Sequence, residues 1–236
     1  MMIINRIRLT FKALAFKQLM DFLRNKRTML IFFIFPAIYI IANLISSDIF
    51  SSDGAPFILI YVILVPLLVM ATLVAEEKEK GTLKLLVMSG VTSIEYFIGV
   101  TFVLLGFIIA GILIFDMAGA TKNFDDFIIC IFIYVVSIIS MQIGAIIGRM
   151  AKNQTNVAPI AVPTVLVLFF LPNIELIKPN IDFFSKYLFT GILLKVMNTC
   201  SYTIHDVIWM AVNFLIVLLV FIKSFNTKSI IRSISA

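Results

Sequence analysis

Glu76-Glu77-Lys78-Glu79-Lys80-Gly81-Thr82-Leu83-Lys84-Leu85-Leu86-Val87-Met88-Ser89-Gly90 is the densest run of charge in the chain, and a long apolar segment stands on either side of it. Six charges within nine residues are not accepted by the hydrocarbon of a bilayer, so the run belongs in water or at the interface. Only about eighteen residues separate the two apolar segments, enough for one short helix and too few for a domain. Gly81 lacks a Cβ and loosens the helix that runs out of the preceding segment. Leu83, Leu86 and Val87 then fall at helical spacing on one apolar face, with Lys80 and Lys84 pointing elsewhere. Ser89-Gly90 stops this helix, and Thr92-Ser93-Ile94-Glu95 has the pattern of a capping box that starts the next. The stretch therefore reads as a short amphipathic knuckle exposed on one side of a membrane. A solvated turn that merely joins two spans is the plainer reading of the same charges.

Composition sets the class. With 61% hydrophobic residues, 14% charged residues and a mean hydropathy of +1.11, the chain is expected to be an all-α integral membrane protein. One domain over 1–236 is expected, without a linker or low-complexity tail. Cys130 lies in an apolar segment and Cys200 in a loop, far apart in sequence, so neither a disulfide nor a metal site is expected. The single histidine, His205, stands beside Asp206 at the mouth of the last apolar segment and reads as a surface residue.

Residues 1–27 carry seven Lys or Arg and one acid, Asp21. No short apolar core with a cleavage site follows, which argues against a signal peptide. Ile7, Phe11, Leu14, Ala15, Leu19, Phe22 and Leu23 line one side of a helix whose other face holds Arg8, Lys12 and Arg24, an amphipathic helix suited to the headgroup region. Six spans follow, expected at about 28–47, 56–75, 94–115, 127–148, 157–171 and 207–222. Pro36 and Pro66 fall inside the first and second, where a kink or local unwinding is expected. Gly106 and Ala110 on the third span, and Ser140, Gly144 and Gly148 on the fourth, recur every four residues and would let helices approach closely. The fifth span is short and contains Pro159 and Pro163. Between it and the sixth, Phe184, Leu188, Phe189, Ile192, Leu193 and Val196 repeat at helical spacing, with Lys186 and Lys195 among them. This piece is too short and too charged to cross, so it should dip into the bilayer or lie on it.

With the N terminus inside, inner segments hold 15 Lys and Arg against 4 in outer loops, and three of those four lie in the one long outer loop, where the rule is weakest. Both termini and the charged knuckle are then cytoplasmic, and the net charge of +6 reflects topology; nucleic-acid binding is not implied. No span carries Asp, Glu, Lys or Arg in its interior, whereas ion-coupled carriers need such groups at depth. The buried polar residues, Asn43, Thr72, Ser137, Ser140, Gln142 and Asn213, read as hydrogen-bonding partners between helices. Because there is no Gly-x-x-x-x-Gly-Lys-Ser/Thr run, the chain cannot cradle ATP phosphates itself.

Glu76 to Gly99, EEKEKGTLKLLVMSGVTSIEYFIG, resembles the cytoplasmic loop of ABC-2-type transporter permeases, the transmembrane domains of type V-like ABC exporters. Glu77, Glu79, Gly81, Thr82, Leu83, Leu85, Leu86, Ser93, Glu95 and Gly99 match its pattern. Lys84 stands where that family has an acid, and Gly90 where it has Pro. The resemblance implies a coupling helix that fits a groove on a separate ATP-hydrolysing subunit, an interfacial helix before the first span, and re-entrant helices between the fifth and sixth. It further implies two ATPase subunits, which hold ATP and Mg while this chain binds no cofactor, and a second permease subunit, identical or related. Expected contacts are Leu83, Leu86 and Val87 as the buried face, with Glu76, Glu77 and Glu79 holding it by charge and Gly81-Thr82 at its start. Pro66, Met70, Pro159 and Pro163 would stand at the moving walls of the pathway.

The expected activity is then export, across a bacterial plasma membrane, of an amphipathic or hydrophobic peptide, antimicrobial peptide or drug, by a subunit that is not itself an enzyme. Sodium or polysaccharide export would use the same architecture. Glu76-Glu77 also faintly matches a Glu-Glu-x-x-x-Arg motif of intramembrane proteases, but position 80 is Lys at the wrong spacing and later spans supply no His. The alternative from another class is a membrane adaptor or immunity protein that binds a toxin or peptide without transporting it.

Overall fold

A computed structural model describes residues 14–45, 54–82, 85, 88, 92–120, 127–174 and 186–225. The described residues are helical with no strand: α1 (residues 14–24), α2 (Lys26–Ile45), α3 (Ala55–Glu79), α4 (Ser93–Met117), α5 (Phe127–Met150), a 3-10 turn (Gln154–Asn156), α6 (Ala158–Asn173), α7 (Phe189–Thr199) and α8 (Ile204–Ser224). Six of these stretches, formed by α2 to α5, by the 3-10 turn with α6, and by α8, are long and apolar enough to cross a membrane.

Local chemistry explains where the helices begin and end. Thr92 accepts from the Glu95 amide, and the Glu95 carboxylate accepts from the Thr92 amide at 2.8 Å, so the expected capping box at the start of α4 is present. Thr203 and Asp206 form the same device for α8. Pro56 and Pro159 sit in the first turns of α3 and α6, where the missing amide proton costs nothing. Gly81 at φ +70° and Gly119 at φ +76° end α3 and α4 in the left-handed conformation that other residues rarely adopt. The chain stays helical through Pro36 and Pro66, so no unwound segment separates the halves of α2 or α3.

α3 is the hub. It touches α2, α4, α5, α6, α7 and the 3-10 turn, and 72% of its most apolar window is buried, against 17% for α2 and 11% for α8. A helix that is apolar on every side has no reason to face water or lipid preferentially, and its neighbours close around it. Its most extensive contact is with α5. There, a Cβ on Gly144 would overlap the carbonyl of Leu67, and one on Gly148 the carbonyl of Ala71. The pairing advances by four residues in the same direction on both helices, so α3 and α5 run parallel with their backbones in contact. In lipid, where burying apolar surface gains little over leaving it among acyl chains, such close packing is what holds helices together.

The small residues of α4 behave differently from expectation. Gly106 is exposed, with nothing within 4 Å of where its Cβ would stand, and Ala110 is half-buried. The close approach on this helix is instead at Gly111, where a Cβ would overlap the Tyr61 hydroxyl. Spacing of four identifies small residues but not the face they occupy, and Gly106 shares its face with exposed Phe102, Ile109 and Leu113.

α1 also divides its apolar residues. Leu14 and Phe22 are buried, with the polar Gln18 between them, while Leu19 and Leu23 are exposed. Phe22 packs edge-on against Phe32 and Phe107, which stack on each other with centroids 5.1 Å apart, locking α1 to α2 and α4. α7, eleven residues long, reaches only about 16 Å and cannot cross. It buries Phe189, Ile192, Leu193 and Val196 against α3, α5 and α6, the face read from its periodicity.

Candidate functional site

Glu76, Glu77, Lys78 and Glu79 form the last turn of α3, continuous with its buried part, and the helix breaks only at Lys80-Gly81. Each of the four charges is used within the chain. Glu77 is buried, and its Oε1 accepts from Lys17 Nζ of α1 at 3.1 Å. Lys78 Nζ donates to the carbonyls of Arg149 at 3.0 Å and Ala151 at 2.9 Å, capping the end of α5. Glu79 Oε2 accepts from the Gln154 amide at 3.1 Å, at the start of the 3-10 turn. Glu76 pairs with Lys80 one turn on, and that carboxylate holds the exposed Lys80 ammonium above its ordinary value. Arg149 continues the chain of contacts by donating to Ser224 at the end of α8, 3.1 Å away.

One turn of α3 therefore fastens α1, α5 and the 3-10 turn together. The buried Tyr96 hydroxyl of α4 interacts with the Glu77 carboxylate, which brings α4 to the same clasp.

Beyond the break, the Thr82 hydroxyl donates back to the Glu77 carbonyl at 3.1 Å. Thr82, Leu85 and Met88 are helical, and Leu85 and Met88 are 65% and 73% exposed. Leu83, Leu86 and Val87, expected to form the apolar face, lie outside the described residues, as does Lys84. The carboxylates expected to grip a partner also have partners inside the chain, and Glu77 is the most buried of them. Sequence spacing could not reveal this, because Lys17 is sixty residues from Glu77.

The residues expected along a pathway are not brought to one surface. Pro66 and Met70 are enclosed in the core with the rest of α3, while Pro159 and Pro163 lie exposed on α6. Of the polar residues expected to bridge helices, Asn43 does so, donating to the Ala118 carbonyl at 3.2 Å, and Asn213 donates to the Tyr187 carbonyl at 2.7 Å. Thr72 and Ser137 bond to carbonyls of their own helices, and Ser140 Oγ and Gln142 Oε1 have no partner. A hydroxyl one turn from its own helix's carbonyl finds that acceptor first.

At the opposite end of the bundle, Lys195 of α7 donates to both oxygens of Asp206 at 2.9 Å, and Asp206 is 1% exposed. The reading of Lys195 as an interruption missed this pair, although Thr203-x-x-Asp206 carried a recognisable cap signature. His205 is exposed and accepts from the indole nitrogen of Trp209 at 2.9 Å. Among the described residues no group of His, Cys, Asp and Glu could hold a metal, and both cysteines are free thiols. Charged side chains of the six long helices all lie within four residues of a helix end. No protein-family model matches the chain, and no curated protein is significantly similar to it.

Proposed function

We propose that the chain is the permease subunit of an ABC-2-type exporter in a bacterial plasma membrane, with both termini cytoplasmic and one domain over its length. The observation that carries this reading is Leu85 and Met88, two large apolar side chains exposed on helical backbone between two spanning helices and just past the break at Gly81. Immediately before them stands α3, whose buried length runs without interruption into the clasp. A load applied to the segment after Gly81 acts directly on the helix that α2, α4, α5, α6 and α7 all touch. Charges confined to helix ends leave the described spans without an ion site at depth, which favours an external source of energy.

In this reading the stretch from Glu76 to Ser89 is the coupling element, and a groove on an ATPase subunit receives Leu83, Leu86 and Val87 together with the exposed Leu85 and Met88. Glu76, Glu77 and Glu79 set the geometry of the hook. Two ATPase subunits bind ATP and Mg, and a second permease subunit completes the complex. α1 lies in the inner interface, and α7 is a re-entrant helix entered from the outer side. Cargo is an amphipathic or hydrophobic molecule, such as a peptide, antimicrobial peptide or drug, because the spans offer apolar walls. A membrane adaptor or immunity protein that binds a toxin is the second class of reading, and the experiment that follows separates the two.

The complex is purified from native membranes and its ATP hydrolysis measured with and without amphipathic peptides. The expected result is a co-purifying ATPase stimulated by the permease, and loss of that stimulation in Leu86→Asp with the permease still folded. An isolated permease, or stimulation that survives Leu86→Asp, contradicts the proposal.

A further inference from the structure

Between α1, the end of α3 and the 3-10 turn lies a half-open cavity of about 320 Å³. Phe22, Val69 and Leu73 give it an apolar floor, and Lys17, Asp21, Glu76 and Lys80 line it with both signs of charge. We propose that this cavity binds a compact zwitterion with a primary ammonium and a phosphate, the chemistry of a phosphoethanolamine headgroup.

The charges argue for a zwitterion over a simple ion. Three carboxylates, of Asp21, Glu76 and Glu77, stand around two ammonium groups, of Lys17 and Lys80. A lone phosphate would meet the three acids, and a lone cation would meet both lysines. A zwitterion separates the signs: its phosphate bridges Lys17 and Lys80, and its ammonium donates to Asp21 and Glu76. Each lysine ammonium has three N–H donors and spends one on a carboxylate, Lys17 on Glu77 and Lys80 on Glu76, so both can also reach a phosphate while keeping those pairs. The floor suits the first carbons of an attached acyl glycerol. The cavity also stands at headgroup level, beside the start of α2 at Lys26 and the end of α3 at Glu79, two helices apolar enough to span. The proposal rests on membrane embedding alone, and stands or falls separately from transport.

The test is native mass spectrometry of the full chain with dioleoylphosphatidylethanolamine, its N-methyl and N,N-dimethyl forms, and dioleoylphosphatidylcholine. Methylation removes N–H donors and keeps the charge, so retention should fall stepwise, by about tenfold from first to last, the scale of one charge-assisted hydrogen bond. Asp21→Asn should abolish the preference, and Lys80→Met should lower the retention of all four lipids, since each carries the phosphate. The methylation series on the unaltered protein needs no variant to fold. Equal retention of all four lipids together with no binding of water-soluble phosphoethanolamine overturns the proposal, as does a preference unchanged in Asp21→Asn. A parallel arm titrates water-soluble phosphoethanolamine: binding that is lost in Asp21→Asn, with no lipid preference, supports the zwitterion and assigns it to a soluble source. No binding in either arm overturns it.

Discussion

Gly144 and Gly148 are the residues on which the bundle is most exacting. Each stands where a side chain would enter a backbone carbonyl of α3, and a carbonyl cannot swing aside as a flexible side chain can. Gly144→Leu or Gly148→Leu should destabilise the fold by about 3 kcal/mol, read as a lowered unfolding temperature in detergent. Gly106→Leu, on an exposed face with open space, should leave that temperature unchanged. Equal losses at Gly106 and Gly144 would mean that the α3–α5 contact is not as close as described. Asp206→Ala should cost about 2 kcal/mol, less than a fully buried pair because Lys195 is partly exposed. Lys195→Met should cost less, because Asp206 keeps its bonds to Thr203, the amide and hydroxyl each donating at 2.8 Å.

At the scale of elements, the last turn of α3 ties together helices distant in sequence, and this is testable through Lys78. Lys78→Met removes two bonds to the α5 terminus while keeping the aliphatic stem. Amide exchange over residues 149–157 should accelerate while that in the core of α5 does not. Unchanged exchange there would show that the cap does not hold the turn. Gly81→Ala should strain the break, at a cost of about 1 kcal/mol, and shift the segment after it more than α3 itself.

The elements were legible to different degrees for physical reasons. The six apolar stretches, the Thr92–Glu95 cap and the buried face of α7 follow from hydropathy and local spacing, which the chain expresses within a few residues. The break of α3 at Gly81 was legible as well, but the roles of the four charges before it were not, because their partners, Lys17, Arg149, Ala151 and Gln154, are remote in sequence. Which of two small-residue faces packs, Gly106 or Gly111, depends on helix rotation, and that is fixed by Tyr61 on another helix.

At the scale of the whole molecule, a largely enclosed central helix emerges into a knot of charge and then into a segment with exposed apolar side chains. The central claim is that this segment is gripped from the cytoplasm by a nucleotide-hydrolysing partner. Leu85 and Met88 give the most direct access to it, because they are exposed and outside the clasp. A photo-crosslinking residue at Met88, activated in native membranes, should yield an adduct to one ATP-binding protein. The adduct should disappear when Leu86→Asp is added. Adducts to lipid alone, or labelling of position 88 by a membrane-impermeant reagent added outside intact cells, would contradict the account.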